Sequence, residues 1–496
     1  MKRSIRCSSE PRNDESANDN EHQRRKTGKR TSPNPSGFIS LPELYFSINA
    51  MTPPNFNPPK KMRHLTKILL AGSFLASIPA QAVTEITYWL WDNNQLPAYQ
   101  ACAAVFEKQN PDIKIKITQT GWFDYWNALN TAFVSGTAPD VITDHLARYP
   151  EFMQNNLLVD IAPLIARDKV PTNIYLGDLV KVWGRAGKQF GLPKDWDTIG
   201  LVYNRAMLEK AGIDPKSFAD LDWNPKDGGS FGKVIAKLTI DVNGKNATEP
   251  GFDPNNIKQY GLLINGQVDG YGQVEWSHFA VSNGFKFDDG PWATHLNYDD
   301  PKLAETIQWI ADQMKKGIII PAANARQAGE NGVFAAQKGA LALTGDWSIH
   351  WYTENCKFDI GFAPLPNGPM GRRTMFNGLA DSIWAGSKHQ EEAWKWVKFL
   401  ASPEAQKIVG EHGVVFPAVP EATEIAKKKM AEKGVDVTAF VQEATDPNAT
   451  FLFPITDHAS DIVRIMRAAF DAIYLNGADA ASTLKAANQE VNDLFK

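Results

Sequence analysis

Residues 84–142 read TEITYWLWDNNQLPAYQACAAVFEKQNPDIKIKITQTGWFDYWNALNTAFVSGTAPDVI. Turn formers cut this stretch into five short segments. TEITYWL (residues 84–90) is β-rich and is closed by Asp92, Asn93 and Asn94, residue types that favour turns. Leu96, Tyr99, Ala103 and Phe106 then recur at helical spacing, with Pro97 suited to a first helical turn. After Asn110-Pro111, the segment IKIKITQ (113–119) alternates apolar with polar residues, the signature of a half-buried strand. A second helical pattern over 123–134 stops at Gly136, and Pro139-Asp140-Val141-Ile142 starts a third strand. The order β-α-β-α-β with short links predicts an α/β lobe built on a mostly parallel sheet.

Downstream the pattern repeats in kind. Gly191-Leu192-Pro193 leads through Lys194-Asp195-Trp196-Asp197 into a second apolar run, residues 199–203. Helical patterns cover 302–316, 390–400, 460–475 and 480–495, and apolar runs at 340–343, 358–363 and 382–385 read as buried strands. Trp309, Trp394 and Trp396 fall on the helical faces and read as packing residues. Residues 223–253 are rich in Gly, Asn, Asp and Pro and read as an elaborated loop region. The expectation is two α/β lobes with no linker long enough to separate them.

The chain has 496 residues, 43% of them hydrophobic and 22% charged, with a formal net charge of -4. That length suggests two or three domain-sized units, and the charge offers no global basic surface for nucleic acid. No stretch reaches about 18 consecutive apolar residues, which excludes a multi-span membrane protein. Three cysteines without a CxxC pair exclude a disulfide scaffold and give no support to structural zinc. The average hides a break: residues 1–82 carry a local net of +7, the remainder carries -11, and all 15 tryptophans lie in the remainder.

The basic part contains MRHLTKILLAGSFLASIPAQA at 62–82. A basic start, a short apolar run and a final Ala-Gln-Ala form a three-part secretory signal, with cleavage expected after Ala82. Residues 1–61 are polar and Pro-rich and cannot bury enough surface to order themselves. They read as disordered sequence upstream of a true start at Met62, the alternative being a genuine extension. Ser73 stands where a lipoprotein would carry its lipidated Cys, so the expected product is periplasmic and free of a lipid anchor.

Several chemistries fail on spacing. Residues 227–234 (DGGSFGKV) are one residue short of a phosphate loop, and Val234 replaces the metal-binding hydroxyl. Asp241-Val242-Asn243-Gly244 lacks the ligand count of a calcium loop. The nine histidines are dispersed without a metal motif, so the reading calls for no cofactor and no metal. Cys102 and Cys356 read as buried free thiols. Asp195 and Asp197 flank Trp196, and two carboxyls on one strand face could perform acid/base hydrolysis of a glycoside. A secreted glycoside hydrolase is therefore the rival reading.

Ordered landmarks over residues 83–496 resemble the extracellular solute-binding proteins of bacterial ABC importers, the group that includes maltose-binding protein. They are ITYWLW at 86–91, VFEKQNP at 105–111, GTAPDV at 136–141, FGLP at 190–193 ahead of LVYNR at 201–205, GALALTGDW at 339–347, GFAPLP at 361–366, and AWKWVKFL at 393–400 running into SPEAQ at 402–406. The resemblance implies an α/β, two-lobed periplasmic-binding-protein fold with a hinge and an interlobe ligand cleft. Lobe I would comprise 83–198 and 379–428, and lobe II 199–378 and 429–496. Crossings are expected near 197–201 and 376–382, with a third within 422–433.

The same resemblance implies a non-enzymatic carrier that binds a carbohydrate reversibly and delivers it to ABC permease subunits. Such a carrier is expected as a monomer with no nucleic-acid partner. A polyol or glycerol phosphodiester ligand, or a chemoreceptor role, stays open. A sugar offers hydroxyls in its ring plane and weakly polar C–H faces, so its site needs short carboxylates, amides and flat aromatic rings. Carried over by the resemblance, the expected contacts are Trp91, Asp92, Asn93, Asp144, His145, Trp196, Asp197, Trp347, Asn377 and Gly378. Asp461, Ile462 and Val463 stand where maltose binders carry a C-terminal Trp, which argues against maltose-like specificity.

Overall fold

The computed structural model describes residues 83–266, 269–446 and 448–496. The leader at 1–61 and the signal segment at 62–82 lie outside the described residues.

The first sheet has five strands in the order Ile113–Gln119, Thr84–Leu90, Val141–Asp144, Ala380–Ile383, Leu192–Pro193. Its first three strands are parallel, with Thr84 opposite Ile113 and Tyr88 opposite Val141. Ala380–Ile383 then joins antiparallel to both of its neighbours. Asp140 pins this arrangement: its Oδ2 accepts from the Thr87 backbone N–H (2.9 Å) and hydroxyl (2.7 Å), while Oδ1 accepts from Ser387 (2.6 Å). Helix Leu96–Gln109 buries Ala98, Tyr99, Cys102, Ala103 and Phe106 against the sheet, the stripe expected from its spacing. Helix Trp122–Ser135 ends where Gly136 adopts φ +70°, a left-handed cap that glycine takes without steric cost.

The second sheet runs in the order Ile360–Ala363, Ile199–Asn204, Gly339–Gly345, Ile257–Leu263, Ile240–Asp241. Every residue of Ile199–Asn204 and of Gly339–Gly345 is buried, which is why both read as continuous apolar runs rather than alternating ones. Helices Pro301–Lys315, Ala459–Asn476 and Ala480–Asp493 pack together beside it. The region expected as elaborated loop differs: it contains helix Gly229–Leu238, whose buried Phe231, Ile235 and Leu238 supply a helical stripe inside a Gly-rich context.

Three passages of chain join the sheets. Strand Leu192–Pro193 belongs to the first sheet and Ile199–Asn204 to the second, so the first passage covers the residues between. The second runs from Thr374–Phe376 to Ala380–Ile383. At their centres Asp197 and Asn377 pair, each backbone N–H donating to the other's carbonyl at 2.9 and 3.2 Å. The third passage comes later than residues 422–433. Helix Pro420–Glu432 is continuous, and Met430, Val437, Phe440 and Val441 all share a buried cluster with Ile86 and Trp396 of the first sheet's layer. By Phe440 the chain already meets the second sheet: its ring lies against Gly200 and 5.5 Å from Phe362, and its carbonyl accepts from Thr198 Oγ1 at 2.9 Å, so the passage falls just after helix Pro420–Glu432. Thr450–Leu452 later pairs with Thr374–Phe376.

Beneath the first passage lies a buried ion pair. Lys194 Nζ donates to Tyr88 Oη (2.8 Å) and Thr143 Oγ1 (3.0 Å), stands 3.3 Å from Asp381 Oδ1, and lies 3.9 Å from the Tyr99 ring centroid. Cys102 and Cys356 are both buried free thiols, as expected, and burial pushes the Cys102 thiol up to about 12 and Cys356 up to about 11.

Candidate functional site

The paired centres of the first two passages gather buried polar side chains. Asp197 Oδ1 accepts from Gln273 Nε2 (2.7 Å) and Oδ2 from Asn377 Nδ2 (2.9 Å). Asn377 Nδ2 also lies 3.2 Å from His145 Nε2, while its Oδ1 is buried with no partner. His145 Nδ1 already accepts from the Ala147 backbone N–H at 3.0 Å. Burial, reinforced by Arg148, lowers the His145 pKa to about 3, so the ring is neutral and its proton sits on Nε2. One amide nitrogen therefore cannot serve both neighbours. The two orientations of the Asn377 amide correspond to two states of Asp197: ionised when Nδ2 faces it, protonated when Oδ1 faces it and accepts from both sides.

Burial raises the Asp197 pKa, and Asp195 raises it further. Asp346, at the end of strand Gly339–Gly345, hangs on the Thr198 carbonyl through its backbone N–H (3.2 Å). Its pKa is raised by burial and then by Asp197 and Asp195, and its Oδ2 has no partner. Burial likewise lifts Asp195 to about 7 and Asp144 to about 8. Clustered carboxyls with raised pKa values around a strand crossing mark a functional-site candidate.

An aromatic wall stands beside this floor. Trp91 meets Trp122 at 5.0 Å, Tyr125 at 5.3 Å and Trp126 at 5.3 Å between ring centroids, and Trp122 lies 5.5 Å from His145. Trp122 is the exposed member at 37%. On the second sheet's side Trp347 is half-buried beside Asp346. Its ring occupies the space that a side chain on Gly345 would fill, so Gly345 is what lets the ring lie back over its own strand.

The expected residues therefore sort into different environments. Asp197, Asn377 and His145 meet on the floor, Asp144 and Trp91 stand beside them, and Trp347 follows Asp346. Asp92 commits both oxygens locally, to the Asn94 N–H (2.8 Å) and Gln95 Nε2 (3.0 Å), as a turn residue does. Asn93 is exposed.

Trp196 requires a correction. It is 2% exposed, sandwiched between Phe376 (6.0 Å, 24°) and Phe416 (4.8 Å, 19°), with its N–H given to Thr423. Both faces are covered, so it packs the core and offers no stacking surface. Gly378 is also turned away: a side chain there would meet Leu179 and, at 3.0 Å, the Asp195 carbonyl. Asp195 is 3% exposed and its Oδ1 accepts from the Leu379 N–H, a poor position for attack on a bound glycoside.

Trp122, Trp126, Gln273, Asp346 and Phe453, which packs edge-on to His145 at 5.2 Å, were not anticipated. WFDYW at 122–126 follows directly on a strand end, as Trp91 does, and that placement was the available signal. Among the described residues no group of three or more His, Cys, Asp or Glu is placed to hold a metal ion.

Residues 92–407 match the family of bacterial extracellular solute-binding proteins. The chain is similar to the arabinooligosaccharide-binding protein of Bacillus subtilis (strain 168), 25% identical over 356 residues that cover 69% of this chain and 75% of the relative. It is also similar to the maltodextrin-binding protein MdxE of the same organism, 26% identical over 411 residues, 78% of this chain and 84% of that one. Among solved structures, the ABC substrate-binding protein Lmo0181 from Listeria monocytogenes, in complex with cycloalternan, superposes with a TM-score of 0.71 at 20% identity over 83% of this chain and 99% of that one. M. tuberculosis UspC does so with a TM-score of 0.65 at 25% identity over 82% and 99%. The two sheets and their crossings thus form a two-lobed binding-protein fold with the site between the lobes.

Proposed function

Because the chain belongs to the family of bacterial extracellular solute-binding proteins, we propose that it is the ligand-binding component of an ABC importer and holds a carbohydrate in the interlobe cleft without transforming it. The observation that carries this reading is the floor at Asp197 and Asn377. There a carboxyl, an amide and a neutral imidazole meet, and the amide oxygen is left unfilled beside an aromatic wall. Sugar hydroxyls both donate and accept, so they fit either orientation of the Asn377 amide, and ring faces suit Trp347 and Trp91. Relatives named for arabinooligosaccharides and maltodextrin favour the same ligand class.

In this reading the lobes close by hinge motion about the paired passages, and the closed form meets the permease subunits. The protein acts as a monomer, exported through 62–82 and released after Ala82 without a lipid anchor. Among the described residues no helix is long and apolar enough to cross a membrane.

The test is intrinsic tryptophan fluorescence titrated with sugars, polyols and glycerol phosphodiesters, followed by recovery of the ligand. Saturable change with an intact sugar recovered supports the reading. Cleavage products would transfer it to a hydrolase, and exclusive response to a polyol or phosphodiester would replace the ligand class.

A further inference from the structure

Two polar ties cross between the two sheets' sides near the floor. Arg185, in the hairpin formed by Gly184–Arg185 and Lys188–Gln189, reaches across to Asp457 with both terminal nitrogens, Nη1 to Oδ1 at 2.8 Å and Nη2 to Oδ2 at 3.1 Å. Its guanidinium also lies 4.3 Å from the Trp292 ring centroid, and Tyr149 meets that ring edge-on at 5.7 Å. Ser460 forms a second tie, accepting from Arg148 Nη1 (3.1 Å) and donating to Glu151 Oε2 (2.6 Å). Arg148, Tyr149, Glu151 and Arg185 come from the first sheet's side, whereas Trp292, Asp457 and Ser460 come from the second.

The ties stand within one helical turn of the floor. The N–H groups of Arg148 and Tyr149 both donate to the carbonyl of His145, the residue that meets Asn377. On the other side Trp292 and His458 hold left-handed backbone, at φ +68° and +61°, which is unfavourable for non-glycine residues and tends to persist at functional sites. A bidentate Arg–carboxylate pair with a stacked ring is geometrically demanding. Arg185 covers one face of the Trp292 ring, Ile462 is buried, and Asp461 pairs with Arg464.

We propose that Arg185, Asp457, Trp292 and Ser460 form an end wall that makes the cleft blind, so that a saccharide binds by its terminal ring. The proposal rests on the carbohydrate reading. One ring lies over Asp197 and Asn377, a second leads toward the exposed rim at Trp122, and further rings project into solvent. Affinity therefore stops rising after about two rings, because later rings bury no protein surface. Lengthening past the wall would break two charge-assisted ties.

The experiment is native mass spectrometry of the full-length protein with series of one to six rings derived from starch, arabinan and mannan. For whichever series binds, wild type should hold the two-, three- and four-ring members equally. Arg185→Ala and Ser460→Ala should favour three rings over two by about tenfold. Affinity climbing through four rings in wild type would overturn the wall, as would variants that keep the wild-type plateau. Small-angle scattering of the ligand-free protein judges the wall independently of any sugar: Asp457→Ala should increase the radius of gyration, and unchanged scattering would overturn it. Binding of no series by wild type, with the scattering increase present, would remove the carbohydrate reading and leave the wall standing.

Discussion

Lys194 and Asp197 stand three residues apart on the same passage, yet their surroundings follow opposite rules. Lys194 spends its ammonium on Tyr88, Thr143 and Asp381, and its charge faces a carboxylate at 3.3 Å. Asp197, Asp195 and Asp346 face one another with no cation bonded to any of them among the described residues, and Asp195, Asp346 and Asn377 each keep an unfilled oxygen. The first cluster pairs its charges within the protein, although Asp381 Oδ2 also lacks a partner, and it belongs to the fold. The second gathers carboxyls with no opposing charge, and unpaired buried polar groups are costly.

That contrast breaks most visibly at Lys194. Lys194→Met leaves Asp381 buried without its cation and should cost about 3–5 kcal/mol of stability, read by denaturant unfolding. A loss under about 1 kcal/mol would mean that the two clusters are alike. Asp197→Asn should do the reverse, leaving the ligand-free protein as stable or more so while weakening ligand binding by roughly 10- to 100-fold, the worth of a hydrogen bond to a charged group. Unchanged affinity in a calorimetric titration removes Asp197 from the floor.

Trp347→Ala should weaken binding by about tenfold or more through lost stacking area, whereas Trp196→Ala should act on melting temperature and spare affinity in the protein that still folds. Reversal of that pair would restore Trp196 to the site. A finer probe uses pH. The Asp144 carboxyl stays protonated in the folded chain up to about pH 8, while the unfolded chain ionises it near its ordinary value of about 4. The folded state thus holds the extra proton, and stability from this group falls as pH rises through that window. Asp144→Asn should match wild type near pH 4 and melt a few degrees higher near pH 8; parallel melting curves at both pH values would refute this. Smallest is Gly345→Ala, which displaces the Trp347 ring and should weaken binding about threefold, through positioning alone. The strand's φ of -86° there tolerates alanine, so a large stability loss would point to another cause.

Much of the fold was legible because burial imposes a period. Strands Thr84–Leu90 and Ile113–Gln119 and helix Gln390–Leu400 lie at the expected residues, each with one side or both facing apolar neighbours. The third passage lies just past helix Pro420–Glu432, and the helix pattern alone could not place it there, because such a pattern states which face is buried but not against which sheet. Of the candidate site, Asp197, Asn377 and His145 follow from the resemblance, and the structure brings the three together. Trp196 misled, since its neighbour Asp197 shares its local sequence but not its surroundings. Trp122 was passed over because an aromatic at a helix start looks the same whether it packs inward or lines a cleft.

By itself, the order of apolar, turn-forming and polar residues determined two α/β layers, a chain that passes between them, and a supply of carboxylates and indoles near the passages. Those are properties of local period and composition, which act through residues close in sequence. Tertiary structure alone decided which indole has a free face, which carboxyl has lost its solvent, and that Arg185 meets Asp457 across 272 positions of chain. Desolvation and shape complementarity depend on what arrives from elsewhere in the chain, and no local pattern encodes that arrival.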